Sequence, residues 1–258
     1  MGLFRRRSSE KASELARKEA DQAASLVTQQ RFLPAVTRFN TAILFCRKEG
    51  KHLEAARHGL RAGQSFFIAG REYEALRYFD DALLDFGRVA RGEGSDDIDQ
   101  KDRARAARLG EAMCLSFRGL SQSSLGEYED GIASLQASRK AYETEGDSSR
   151  VTAATYLLAK TSRDWGLEED DARILEQSRT YFEQASEAYA RSGEDLGLAQ
   201  VYLDSGPVLK ALGAWEALVQ GYSEARKRLA DAGFHDQAQE CETLYQEALA
   251  ARRSNTNT

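Results

Sequence analysis

Proline is almost missing from this chain: Pro34 and Pro207 are the only two in 258 residues. A chain so poor in the residue that breaks helices can stay helical over most of its length. Histidine is nearly as scarce. His52 and His58 are six residues apart, which puts them on different helix faces, His235 is remote from both, and none lies three or four residues from a second histidine or a cysteine. That excludes the spacings from which metal sites are usually built. The three cysteines, Cys46, Cys114 and Cys241, are odd in number and widely separated, which excludes a disulfide framework and fits a reducing, cytoplasmic compartment. Cys114, in AMCLSF, reads as core packing.

Other absences narrow the function. No apolar stretch approaches the roughly 20 residues a transmembrane helix needs. The start, MGLFRRRSSEK, lacks the apolar core of a signal peptide. Its Met-Gly opening suggests myristoylation, but Arg6 stands where that motif wants serine or threonine. Residues 1–8 read as a flexible basic tail in which Leu3, Phe4 and Arg5 to Arg7 give weak peripheral contact with an anionic membrane. The formal net charge is −5, and the basic spots at 5–7, 101–108 and 226–228 have no interleaved aromatics. Nucleic acid is therefore not an expected partner. No P-loop, nucleophile elbow or dinucleotide fingerprint is present, and the single glycine of LGEAM does not make one. The acidic run Glu168 to Asp171 lacks the spacing and central glycine of a calcium loop. No catalytic residue, cofactor or metal ligand is nominated, and the chain reads as a non-enzyme.

What is present is helix. Alanine, leucine, glutamate, arginine and glutamine dominate, charges of both signs are mixed, and no run alternates with period two. Three glycine pairs share one spacing: Gly63 and Gly70, Gly119 and Gly126, Gly206 and Gly213, each seven residues apart. A glycine inside a helix costs about 1 kcal/mol relative to alanine. Its repetition calls for two helices pressed together and then a tight turn. The pattern predicts stacked helical hairpins from about 9 to an end at Gly50, and over about 53–89, 101–143, 150–191 and 196–232, with GLEEDD at 166–171 as an insertion inside the fourth. A last helix, about 237–252, presents Cys241, Leu244, Tyr245 and Leu249 on one side and caps the array. The acidic segment RGEGSDDIDQ, 91–100, reads as a loop, and 253–258 as a polar tail.

Registered on these glycines, the hairpins resemble the tetratricopeptide repeat. Gly63, Phe66, Gly70, Ala75, Phe79 and Ala82 take the repeat's positions in hairpin two. Tyr202, Gly206, Gly213, Trp215, Tyr222 and Ala225 take them in hairpin five. Gly119, Gly126, Gly131, Leu135 and Ser138 follow more loosely in hairpin three, and Phe182 and Ala185 in hairpin four. Ala23, Ala35, Phe39 and Ala42 serve in hairpin one. The resemblance implies an all-α superhelix, a TPR-like solenoid of about five hairpins plus a C-terminal capping helix, over residues 9–252. The long helices also resemble the SNAP-type adaptors of membrane fusion, which would imply a cofactor of SNARE-complex disassembly. FRRR, RFLPAV (31–36) and SFFIAGREYEAL (65–76) resemble the forty-kilodalton huntingtin-associated family, which implies a large HEAT-repeat partner and endosomal or vesicle traffic.

In such arrays the first helix of each hairpin lines the binding groove. The resemblance thereby assigns Arg57, Leu60, Gln64, Phe67, Met113, Ser116, Leu120, Ser123, Gln200, Leu203 and Lys210 to that face. The set is mostly apolar or small, so it suits a partner helix or another helical repeat better than a terminal carboxylate. The expected role is an adaptor that binds protein.

Overall fold

The computed structural model describes residues 2–93 and 100–255, with side chains from Lys11 onward except Ala12. The tail side chains Leu3, Phe4 and Arg5 to Arg7, the acidic stretch at 94–99 and the last three residues lie outside what is described. Eleven helices account for nearly all the described residues, and no strand occurs among them. They are α1 (Gly2–Thr28), α2 (Phe32–Lys48), α3 (His52–Ile68), α4 (Glu72–Ala90), α5 (Gln100–Ser124), α6 (Tyr128–Glu145), α7 (Ser148–Glu168), α8 (Ala172–Ser192), α9 (Asp195–Ala211), α10 (Trp215–Asp231) and α11 (His235–Asn255). The chain forms two compact units, 1–147 and 148–258.

In the first unit, α1 pairs with α2, α3 with α4 and α5 with α6. Its first helices also touch in sequence, α1 with α3 and α3 with α5. The second unit pairs α7 with α8 and α9 with α10, brings α7 against α9, and lays α11 on α10. This is the expected series of five hairpins and a closing helix.

The glycine pairs do what their spacing implies. A side chain at Gly63 would overlap the ring of Phe79, and one at Gly206 would overlap the hydroxyl of Tyr222. A Cβ at Gly119 would sit 2.7 Å from the backbone oxygen of Gly131 and 2.8 Å from Leu135. At each, a side chain would collide with the hairpin's other helix, so the position has room only for glycine. The second glycines, Gly70, Gly126 and Gly213, hold φ near +70° to +80°, a region open to glycine at little cost. The looseness of hairpin three has a physical cause, since its interior is polar. Ser138 Oγ donates to the carbonyl of Ala112 at 2.7 Å, and Ser134 Oγ donates to Gln122 Oε1 at 2.7 Å.

Hairpin four corrects the expected insertion. Gly166 to Glu168 are the last turn of α7, and the connection to α8 is as short as that between α3 and α4. Asp170, at φ 52°, takes the turn position that Gly70 holds 100 residues earlier. A polar, acidic helix end reads like a loop in sequence because a surface helix needs no apolar residue in its final turn. The close approach moves to Gly166, where a Cβ would lie 2.9 Å from Leu175. Asp171 caps α8, its carboxylate accepting the Arg173 N–H at 2.8 Å. Hairpins one and two share a stricter relation. Gln30, Ala35, Phe39 and Ala42 lie 40 residues before Gly70, Ala75, Phe79 and Ala82, and these alanines and phenylalanines are buried.

The three thiols are buried and free. Burial, reinforced by Glu54, pushes the Cys46 thiol up to about 11, and burial raises Cys114 and Cys241 as well. They pack as small apolar groups. In α11 the closing face is narrower than the sequence pattern implied. Ala238, Cys241 and Ala248 are buried, whereas Leu244 is exposed. Pro207 lies inside α9, where it removes the N–H that would bond the carbonyl four residues back, that of Leu203.

Candidate partner-binding site

In the first unit the face of α1 and α3 carries a cleft of 410 Å3 lined by Ser13, Glu14, Arg17, Glu54, Arg57 and His58. Its chemistry repeats at 40 residues: Glu14 and Arg17 on α1 match Glu54 and Arg57 on α3. Arg17 and Arg57 are exposed, and neither has an ion-pair partner among the described residues. Glu54 is held in place. Ser13 Oγ donates to its Oε2 at 2.8 Å, and Lys51 Nζ donates to Ser13 Oγ at 2.6 Å. His58 is half-buried, and its desolvation lowers its pKa below the ordinary histidine value. The arrangement is two unclaimed guanidinium forks beside a histidine that holds its proton weakly. It can receive carboxylates or the carbonyl oxygens of a peptide.

Further along this face the assigned residues divide. Gln64 is half-exposed on α3. Leu60 is buried at 6% exposure and belongs to the core, because it faces the interior of its own hairpin. Phe67 and Met113 are half-buried and pack on the hydrophobic core, and the Phe67 ring meets Phe117 edge-on at 5.9 Å. Their outer edges are what a partner can reach. Ser116 Oγ lies 2.7 Å from Ser138 Oγ, and Ser123 Oγ donates to the Gly119 carbonyl at 2.8 Å, so both hydroxyls serve hairpin three itself. Leu120 is half-exposed.

In the second unit Gln200 and Lys210 are exposed on α9, and Leu203 is half-buried against the core around Tyr222. Beside Leu203 lies a cluster that the sequence did not announce. Asp204 accepts a hydrogen bond from the Tyr156 hydroxyl of α7 and stands 3.6 Å from Arg163 Nη1 and 3.9 Å from Lys160 Nζ. Burial, with Asp204 next, raises the Tyr156 pKa, so the phenol keeps its proton and acts as a donor.

A second unannounced cluster centres on Asp85 of α4, 1% exposed. Arg47, at the end of α2, donates to Asp85 through Nε at 2.8 Å and lies 2.7 Å away through Nη2; His52 Nδ1 is 3.2 Å from the other oxygen. This network ties the α2–α3 turn to α4. It is an internal staple, and it gives His52 a structural role at the start of α3. Sequence pattern alone missed it because Asp85 follows Leu83 and Leu84 on a helix rich in acids. Among the described residues no group of three or more histidine, cysteine, aspartate or glutamate side chains is arranged to hold a metal ion.

No family model matches the chain, and no curated protein matches it. Among solved structures, aspartyl phosphate phosphatase F from Bacillus subtilis is similar over 97% of this chain, with a TM-score of 0.66 and 16% identity. The chain spans 62% of the length of that protein. A Rap protein complexed with Competence and Sporulation Factor aligns at a TM-score of 0.33 and 10% identity, over 92% of this chain and 75% of that one. The apo form of RapI aligns at 0.30 and 12%, over 94% and 99%. At these identities the likeness to the first shows a shared helical-repeat fold.

Proposed function

We propose that this chain is a non-catalytic helical-repeat adaptor that holds a protein segment on the face made by the first helices of its hairpins. The observation that carries this reading is the α1–α3 cleft, where the exposed Arg17 and Arg57 repeat at one register position and neither forms an ion pair among the described residues, although Glu14 and Glu54 line the same cleft. A partner segment bearing carboxylates would pair with these forks. Gln64 and the outer edges of Phe67, Met113 and Leu120 would take its neighbouring side chains. Gln200, Leu203 and Lys210 would serve in the same way on the second unit.

Two narrower readings remain: a large HEAT-repeat partner in endosomal traffic, which rests on short sequence matches, and SNARE disassembly, which rests on helix length. No residue of the site favours either, and neither is part of the proposal. The phosphatase activity in the name of the structural neighbour belongs to that protein.

The test replaces Arg17 and Arg57 together with glutamate. Both are exposed, so helicity and melting temperature should hold. Proteins that co-purify with the parent chain should be lost from the double variant. An unchanged set of co-purifying proteins would overturn the assignment of the face. Turnover of acetyl phosphate by the purified chain would overturn the non-catalytic reading.

A further inference from the structure

A second cleft, of 710 Å3, opens where the end of α1, the turn into α2 and the end of α3 converge. It shares no residue with the cleft of the first-helix face. Val27 lies buried at its base, Phe32 and Ala69 are half-buried in its walls, and Ile68 stands 82% exposed at its side. An isoleucine that open to water beside a concave apolar wall has nothing within the fold to pack on. The volume falls in the range of small-molecule sites, about 300–1,000 Å3.

Two polar groups mark the rim. The Arg71 guanidinium lies over the Phe32 ring, 4.6 Å from its centroid, and one of its terminal nitrogens pairs with Glu74. A guanidinium carries five N–H donors, so Arg71 retains donors for a second acceptor. The other group is Gln30. It holds the turn at φ 58°, in the left-handed region. Among the described residues eight turns place glycine in that conformation, and the other exception, Asp170, is a residue type that tolerates it. Glutamine gains nothing locally there, since its exposed amide makes no hydrogen bond among the described residues. Glycine would suit the turn better, so Gln30 holds this turn at a conformational cost.

We infer that this cleft binds a compact apolar molecule ending in a carboxylate, on the scale of a medium-chain fatty acid. Its chain lies on Val27, Phe32, Ile68 and Ala69. Its carboxylate accepts hydrogen bonds from Arg71 and from the Gln30 amide. Charge complementarity with Arg71 selects the acid over the alcohol of equal length.

The probe is decanoate, competing with the fluorescent anion 8-anilinonaphthalene-1-sulfonate on the full chain, with decanol as the neutral control. Saturable displacement by decanoate is expected, and decanol should be weaker by about tenfold, the difference expected for one charge-assisted contact. Arg71→Gln should weaken decanoate by a similar factor, and Ile68→Ser should weaken both ligands. Gln30→Gly is the sharpest variant: decanoate binding should fall several-fold while the melting temperature rises. A purely structural Gln30 would give the rise without the loss. The inference is overturned if decanoate does not displace the dye saturably, if decanol competes equally, or if Gln30→Gly and Arg71→Gln both bind as the parent does. None of these outcomes depends on the protein-binding face, whose test uses Arg17 and Arg57.

Discussion

Hairpins two and four occupy one frame 100 residues apart and solve the same packing problem with opposite residues. In hairpin two, α3 offers Gly63 and α4 offers Phe79, whose ring fills the space a side chain at Gly63 would need. In hairpin four, Arg163 stands at the first position, and the close approach is made by Gly166 against Leu175. Phe66, buried and stacked on Tyr78 at 5.5 Å, has Gly166 as its counterpart. Counted from the turns, the fully buried Ala185 falls opposite Asp85, the buried anion of α4, three residues past the Ala82 position to which the sequence pattern assigns it. The turn is glycine in one and Asp170 in the other. What the two share is a volume rule. At the tight point of each of these hairpins a large side chain of the second helix meets a glycine of the first, and the glycine's position can move along the helix.

The largest expected effect tests the sharpest contrast. Asp85→Ala gives hairpin two the residue that hairpin four already uses. It would strip Arg47 and His52 of their shared anion and should cost about 3 kcal/mol, in line with breaking a buried ion pair from one side. A chemical-denaturation loss under 1 kcal/mol would mean that the staple is ornamental and that the two hairpins differ less than they look. Next are Gly63→Leu and Gly166→Leu, each expected to cost on the order of 1–3 kcal/mol by overpacking. Parent-like melting of either variant would refute the register assigned to that hairpin.

The turns give a smaller and oppositely signed pair. Gly70→Asp should destabilise, and Asp170→Gly should stabilise, each by about 0.5–1 kcal/mol, because only glycine enters the left-handed region freely. Equal and negligible shifts in thermal melting would show that the two turns relax on substitution. The smallest effect is a pH slope in the first unit. His58 has a folded pKa lowered by burial, so folded and unfolded forms are both neutral above about 6.5. As the pH falls below that value the unfolded chain takes up a proton first, and stability drops until the folded pKa is passed. His58→Gln should flatten the slope below pH 6.5, and an unchanged slope would place the titration elsewhere. A carboxylate-bearing partner in the cleft should oppose the same trend by favouring the protonated histidine.

Much of this was legible in the sequence, and the reasons are physical. Helices, their pairing and the closing helix follow from composition and from glycines that mark close approach, so Gly63, Gly119 and Gly206 could be placed without coordinates. The turn at Asp170 could not, because an aspartate in the left-handed region leaves no glycine to read and the acidic end of α7 resembles a loop. Arg57 was legible as a face residue through the repeat register. Its partner Arg17 was not, since hairpin one carries Ala23 where hairpin two carries Gly63 and the 40-residue relation is hidden. Phe67 and Met113 were legible as apolar and first-helix, but periodicity does not say how much of such a side chain a neighbouring hairpin covers. Asp85 follows Asp80 and Asp81, and Asp204 stands on a mostly apolar helix while its partners lie on α7; only packing distinguishes such partly or fully buried anions from solvated ones.

The central claim is that the first-helix face, and not the outer face of the second helices, holds the partner. Both faces show candidate residues: Arg57 and Gln64 on α3, and the exposed Leu84 on α4. A photo-crosslinking amino acid placed in turn at positions 57, 64 and 84 of the full chain, irradiated in cells, decides between them. Discrete protein adducts from 57 and 64, with none from 84, are the predicted result. Adducts from 84 alone would contradict the account.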